Sequence, residues 1–238
     1  MKNLIKITVL LLALVFATSV FAQSTIGLRA GVNVATLNAD PFDGTAADMG
    51  MDYMVGADVA VFSKINVAGV FSVQPELHWI QKGVKYTTIA TDNMDVKRVF
   101  RTNFIELPVL ARFDFEIGDM VYFNIYAGPS VGYALNQKYI GENAPLGTEN
   151  PVEKGDFKED IDWVTEYGTD GWKDNRFDFS AVGGFGITFE TEIGNFLLDA
   201  RYSHDFIDAI KYENTPDPEP DKYYNRGVAI TAGFAIPF

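Results

Sequence analysis

Beyond residue 22 the chain alternates apolar and polar residues with a period of two, over eight separate stretches. Ile26, Leu28, Ala30, Val32 and Val34 alternate with Gly27, Arg29, Gly31 and Asn33, and Tyr53, Val55, Ala57, Val59 and Val61 with Gly56, Asp58 and Ala60. Phe71 to Trp79 sets its odd positions against Ser72, Gln74, Glu76 and His78, and Ile105 to Phe113 sets its odd positions against Glu106, Pro108, Leu110 and Arg112. The fifth stretch opposes Val121, Phe123, Ile125, Ala127 and Val131 to Asn124, Tyr126, Gly128, Ser130 and Gly132. The sixth opposes Phe177, Phe179, Ala181, Phe185, Ile187 and Phe189 to Asp178, Ser180, Gly184, Gly186 and Thr188. Phe196, Leu198, Ala200 and Tyr202 face away from Asp199, Arg201 and Ser203, and the even positions Val228 to Phe238 face away from Gly227, Ala229, Thr231, Gly233 and Ala235. Successive side chains of a strand point to opposite faces, so this rhythm predicts strands and not helices. Each stretch is close to the ~9–11 residues that a tilted strand needs to cross a bilayer.

The connections alternate in length. Ser63–Ala68, Glu116–Met120 and Thr191–Asn195 read as tight turns, whereas about Leu37–Met51, Thr87–Thr102, Leu135–Asn175 and Ile207–Asn225 read as long loops. Short turns on one rim and long loops on the other are the signature of an outer-membrane barrel. A loop of some 40 residues suits extracellular space better than a compact soluble domain.

Before the first strand, Lys2 and Lys6 flank an apolar run from Ile7 to Phe21 that closes on Val20-Phe21-Ala22. This is the three-part pattern of a secretory signal cleaved after Ala22, leaving residues 23–238 as the barrel domain. Removal of the two lysines takes the formal net charge from −13 to −15. So acidic a chain lacks the clustered cations that nucleic acid requires. With no cysteine, disulfides, thiolate metal sites and cysteine nucleophiles are excluded together.

A soluble eight-stranded barrel would show the same alternation with its apolar face inward. Three features favour the inverted arrangement. The polar face is rich in glycine (Gly27, Gly31, Gly56, Gly128, Gly132, Gly184, Gly186, Gly233), as a narrow lumen demands. Aromatics (Tyr53, Trp79, Phe115, Tyr133, Phe177, Phe189, Tyr202) gather at strand ends like interfacial girdles. Phe238 ends an alternating strand, as an assembly signal read by the barrel insertion machinery would. The expectation is an all-β, eight-stranded antiparallel up-and-down transmembrane β-barrel with short periplasmic turns and long extracellular loops, monomeric, in the bacterial outer membrane.

Several stretches resemble the PorT-like outer-membrane β-barrel family of the Bacteroidota, within the wider OmpA/OmpX-like barrels. They are Gly27 to Ala35, Gln74-Pro75-Glu76-Leu77 with Gln81-Lys82-Gly83, Phe104 to Arg112, Ala127-Gly128-Pro129, Arg201-Tyr202 and Gly233 to Phe238. The resemblance implies the fold and the location and no reaction. One namesake of the family serves protein secretion to the cell surface.

The polar face carries Arg29, Lys82, Arg112 and Arg201 against Asp58, Glu76, Glu106, Asp178, Glu190 and Asp199. Buried charges are tolerated when paired and hydrogen-bonded, so a structural ion-pair plug is expected, with a proton or ion path as the alternative. Glu76 and Glu106 fall on neighbouring strands, with Arg112 placed to neutralise part of that pair. His78 reads as a hydrogen-bonded lumen residue.

Catalysis has little to stand on. Arg201-Tyr202-Ser203-His204 resembles the pattern of lipid A deacylases, in which a His precedes the Ser by two positions and shares its strand face. Here Phe206 stands in that place, and Ser203 lies on the opposite face from His204. Neither catalytic residues nor a cofactor or metal site is expected. The third long loop is acidic (Glu142, Glu149, Glu153, Asp156, Glu159, Asp160, Asp162, Glu166, Asp170 and Asp174) and holds Trp163 and Trp172, and Thr215–Asp221 alternates proline with acids. Such loops read as solvated tips, or as a docking surface for a surface or secretion partner or for divalent cations bridging lipopolysaccharide. The expected role is structural or interactive at the cell surface. The alternatives are an accessory component of a secretion system, a small-solute channel, or a surface lipid-modifying enzyme.

Overall fold

The computed structural model describes residues 24–39, 51–89, 95–142, 152–153, 172–212 and 222–238. Eight long strands carry the architecture: β1 (Thr25–Ala39), β2 (Met54–Ala68), β3 (Phe71–Ile89), β4 (Asp95–Gly118), β5 (Val121–Glu142), β6 (Phe177–Thr191), β7 (Gly194–Asp205) and β8 (Tyr223–Pro237). Each pairs antiparallel with its neighbour in sequence. The ring closes where β1 meets β8, from Thr25↔Pro237 to Ala39↔Tyr223, and Phe238 N donates to Ser24 O at 2.9 Å beside the seam. No helix among the described residues is long and apolar enough to cross a membrane; the strands do the crossing.

The faces fall as the alternation predicts. Ile26, Leu28, Val59, Leu77, Leu107, Val109, Ile125, Leu198 and Ile230 point out and stay exposed, whereas Arg29, Asp58, Glu76, Glu106, Arg112, Asp199 and Arg201 are buried inside the ring. On β4 the outward band runs from Ile105 to Phe115; at about 3.3 Å per residue and a tilt near 40°, it spans roughly the 25 Å apolar height of such barrels.

Several boundaries differ from the sequence reading. The first turn is Gly69–Val70, not Ser63–Ala68: β2 continues through Ile65↔Val73 and Asn66↔Ser72 to Ala68↔Phe71. Gly69 takes φ +52°, which a two-residue hairpin requires at its first central position. The stretch Thr87–Thr102 is mostly strand. β3, β4 and β5 have 19, 24 and 22 residues, well beyond a bilayer's need of ~9–11, and pair from Ile89↔Asp95 and Lys97↔Glu142 downward. They therefore continue past the membrane as a three-stranded sheet. Met51–Asp52 adds to the β3 edge and Val152–Glu153 to the β5 edge. At the same rim Trp172–Asp174 pairs with Ile210–Tyr212. The stretch read as a secretory signal (residues 1–22), Trp163, Thr215–Asp221 and most of the acidic third loop lie outside the described residues.

Prolines interrupt the wall without shifting it. Paired positions are absent between Phe62↔Glu76 and Ile65↔Val73, between Pro75↔Val109 and His78↔Glu106, and between Pro108↔Ser130 and Ala111↔Ala127, with one register held across each gap. Pro75, Pro108 and Pro129 lie in or beside these gaps and have no N–H to give. Gly128 answers one of them: any side chain there would collide with the Val109 carbonyl oxygen, so its lack of a Cβ lets β4 and β5 close up.

Val109 is 49% exposed near the middle of the outward band of β4. Replacing it by Arg is expected to cost about 2–4 kcal/mol of folding free energy in lipid vesicles, measured by urea titration. An unchanged midpoint would mean that this face does not meet hydrocarbon.

Candidate functional site

The lumen is filled by side chains in three levels. Nearest the short-turn rim, Phe62, Leu197 and Ala235 form a small apolar cluster. Beside it Arg112, 0% exposed, donates to Asp114 Oδ1 at 2.9 Å through Nε, to Gln74 Oε1 at 3.1 Å and to Thr188 Oγ1 at 3.0 Å. Lys64 lies 3.6 Å from the other oxygen of Asp114.

The middle level is built around Glu76. Its Oε2 contacts Arg29, accepts from Arg201 Nη1 at 2.9 Å and lies 2.5 Å from His78 Nε2; its Oε1 accepts from Gln74 at 2.6 Å. His78 turns its other nitrogen to Asp58 Oδ1 at 2.8 Å, so each side of the ring faces a carboxylate. Both arginines lie over aromatic faces, Arg29 at 5.4 Å from the Phe62 centroid and Arg201 at 5.3 Å from that of Tyr126, whose hydroxyl also accepts from Arg201 at 3.4 Å. Asp199 is 3.9 Å from Arg29 Nη1, and neither of its oxygens accepts a hydrogen bond among the described residues.

The outer level hangs on one lysine. Lys82 Nζ lies 2.7 Å from Glu106, 2.8 Å from Asp178 and 2.9 Å from both oxygens of Asp205. These acids stand on β4, β6 and β7, so an ammonium from β3 ties the far wall to the near one. Burying one ion costs several kcal/mol even after relaxation, more than a single imperfect partner returns. Three carboxylates and the Phe104 ring, 5.4 Å away, surround the charge on several sides. The gap between the middle and outer levels, lined by Asp58, His78, Glu106, Arg201 and Ser203, has a volume of about 10 Å³, room for one water molecule.

All eight residues proposed for a lumen charge network point inward and are buried, but they do not form one cluster. Arg29, Asp58, Glu76, Asp199 and Arg201 share the middle level; Glu106 and Asp178 belong to Lys82; Arg112 stands apart near the rim. Arg112 therefore does not neutralise Glu76 and Glu106, which take Arg29 with Arg201 and Lys82 respectively. Glu190 is half-exposed at the short-turn rim and outside the network. Asp205 was missed because the seventh stretch was ended at Ser203, although the parity Asp199, Arg201, Ser203 leads straight to it. Phe238 is exposed, 57%, at the short-turn rim. Ser203 is buried in the lumen while His204 turns outward to Tyr202 Oη at 3.1 Å, so this pair cannot act as nucleophile and base. Among the described residues no group of three or more His, Asp or Glu is arranged to hold a metal ion.

The family model of the outer membrane protein beta-barrel domain matches residues 21–211. The chain belongs to this family. It is accordingly a β-barrel protein of the bacterial outer membrane, with the short turns periplasmic and the long loops extracellular. No curated protein matches the sequence. Among solved structures it is similar to Neisserial surface protein A, at 11% identity and TM-score 0.43, over 90% of this chain and 97% of that one. It is also similar to OprG of Pseudomonas aeruginosa, at 9% identity and TM-score 0.48, over 91% and 97%. A third is Ail of Yersinia pestis in complex with the heparin analogue sucrose octasulfate, at 12% identity and TM-score 0.40, over 90% and 99%.

Removing one member of the outer level isolates the others. Lys82→Met keeps the stem and leaves three buried carboxylates without their cation, and is expected to destabilise the barrel by about 3–5 kcal/mol in vesicle-based urea unfolding. A loss below 1 kcal/mol would show that this lysine does not hold the wall together.

Proposed function

We propose that the protein is a closed, non-catalytic outer-membrane barrel whose charge-filled lumen makes it a rigid base for the sheet and loops it presents outside the cell. The observation that carries this reading is the meeting of Lys82 with Glu106, Asp178 and Asp205 from three other strands, directly above the Glu76 level. Two salt-bridged levels with room for one water between them support a lumen closed to solutes. A structural or interaction role follows, with a surface or secretion partner met by the extracellular segments. The resemblance of Gly27–Ala35 and Phe104–Arg112 to PorT-like barrels supports the same reading, and with it a Bacteroidota origin. The lumen-facing Ser203 and outward His204 speak against a lipid-modifying enzyme.

In planar bilayers the purified protein is expected to give no conductance steps. Regular openings in a wild-type sample, lost on adding bulk at Ser203 beside the small cavity, would replace this reading with a channel.

The leader is part of the proposal. β1 opens at Thr25, just past the Ala22 cleavage position, and Ser24 is already buried against the closing seam. Mass spectrometry of protein taken from outer membranes should find a chain beginning at Gln23; a retained Met1 would make the segment an anchor.

A further inference from the structure

We propose that outward-facing basic side chains at the long-loop rim, the paired cations Arg101 and Lys138 on one side of the barrel and Arg226 with the imidazole of His204 on the other, bind phosphate groups of outer-leaflet lipid.

Their orientation follows from the register. Lys82 points into the lumen, so Gly83 points out, and Gly83, Arg101 and Lys138 are aligned across β3, β4 and β5. On β7 and β8, Tyr202 and Val228 face outward, and two residues further on His204 and Arg226 stand directly opposite each other on that face. Both pairs lie at the upper edge of the apolar band. Arg226 is the first outward residue after it on β8, His204 stands opposite on β7 between Tyr202 and the exposed ring of Phe206, and Arg101 is four residues past Ile105, about 10 Å along the barrel axis. That is within the headgroup layer for side chains long enough to reach back toward it.

Like charges directly opposite on paired strands repel, and Arg101 and Lys138 are so placed. Among the described residues no carboxylate pairs with Arg101, Lys138 or Arg226, and the Nε atoms of both arginines are buried without a hydrogen-bond partner. This contrasts with the lumen, where each of the four buried cations meets at least one carboxylate. The placement also runs against the protein's overall sign. The chain carries a net charge of −13, and its short-turn rim holds Glu116, Asp119, Glu190 and Glu192. Among the described residues, basic side chains on the outward face gather at the opposite rim, where they are complementary to anions in the outer leaflet. Tyr202 Oη, 3.1 Å from His204 Nδ1, leaves the other imidazole nitrogen free to meet a phosphate oxygen.

The test uses the full-length mature protein reconstituted in phosphatidylcholine vesicles containing a minor fraction of either bisphosphorylated lipid A or the same lipid with its phosphates removed. Lipid retained per barrel after mild detergent extraction is counted by mass spectrometry. Wild type is expected to retain the phosphorylated form about tenfold more than the dephosphorylated one, as two or more surface cations allow. Arg101→Ala with Lys138→Ala, and His204→Ala with Arg226→Ala, should each reduce that ratio while the heat-dependent gel shift of the folded barrel persists. Equal retention of the two lipids by wild type overturns the proposal, and needs no variant to fold. So does an undiminished ratio in both folded double variants, which would leave the chain's own acidic loops as the partners of these cations.

Discussion

A narrow lumen cannot hold charge that it does not neutralise, and this constraint organises the protein. An eight-stranded ring has no room for a hydration shell around each ion, so every buried cation must find its counter-charge within the wall, Arg112 on its own strand and Arg29, Lys82 and Arg201 on others. The described interior contains four Arg or Lys and six Asp or Glu, and their pairings run across the ring as well as along it. Lys82 reaches β4, β6 and β7; Glu76 on β3 takes arginines from β1 and β7. The plug therefore works as a set of cross-braces, and what it excludes from the lumen is a by-product of how it holds the wall.

The outside answers a different solvent. Every backbone group in the hydrocarbon must be satisfied within the sheet, which closure achieves, and the side chains there need only be apolar. Exposed Val, Ile, Leu and Phe on that face would be an aggregation hazard in water and are the expected surface in lipid. The same strands thus carry two independent codes, one written in charges and glycine, the other in aliphatic and aromatic residues.

Much of this was readable from residue order. The eight strands, their faces and the inward charges follow from a two-residue period, because a slip of one would send Arg29 or Asp58 into lipid. Pairing was not readable: whether Arg112 meets a carboxylate on a neighbouring strand or Asp114 on its own depends on the geometry across the ring, and the side chain turned to Asp114, Gln74 and Thr188 near the rim. The first turn was misplaced because Ser63, Lys64 and Asn66 look like turn residues, whereas they sit at the end of a strand that passes an irregularity between Asn66 and Ala68 and turns back at Gly69. The strand extensions above the membrane escaped notice for a related reason. Lys85-Tyr86-Thr87-Thr88 and Asp95-Val96-Lys97-Arg98 carry no regular apolar alternation to mark them. His78 was legible as a lumen residue but not as the link between Asp58 and Glu76, since that role needs the register between two strands.

The three prolines in the wall have a structural consequence. Pro75 and Pro129 flank Val109 on the two adjoining strands, and Pro108 precedes it in its own. In this patch the fabric of the cylinder lacks some of its usual stitches, at the depth where Glu76 and Arg112 project from the same strands inward. Cohesion there passes from main chain to side chain, and the cross-braces become the fastening that keeps a thinly sewn panel shut.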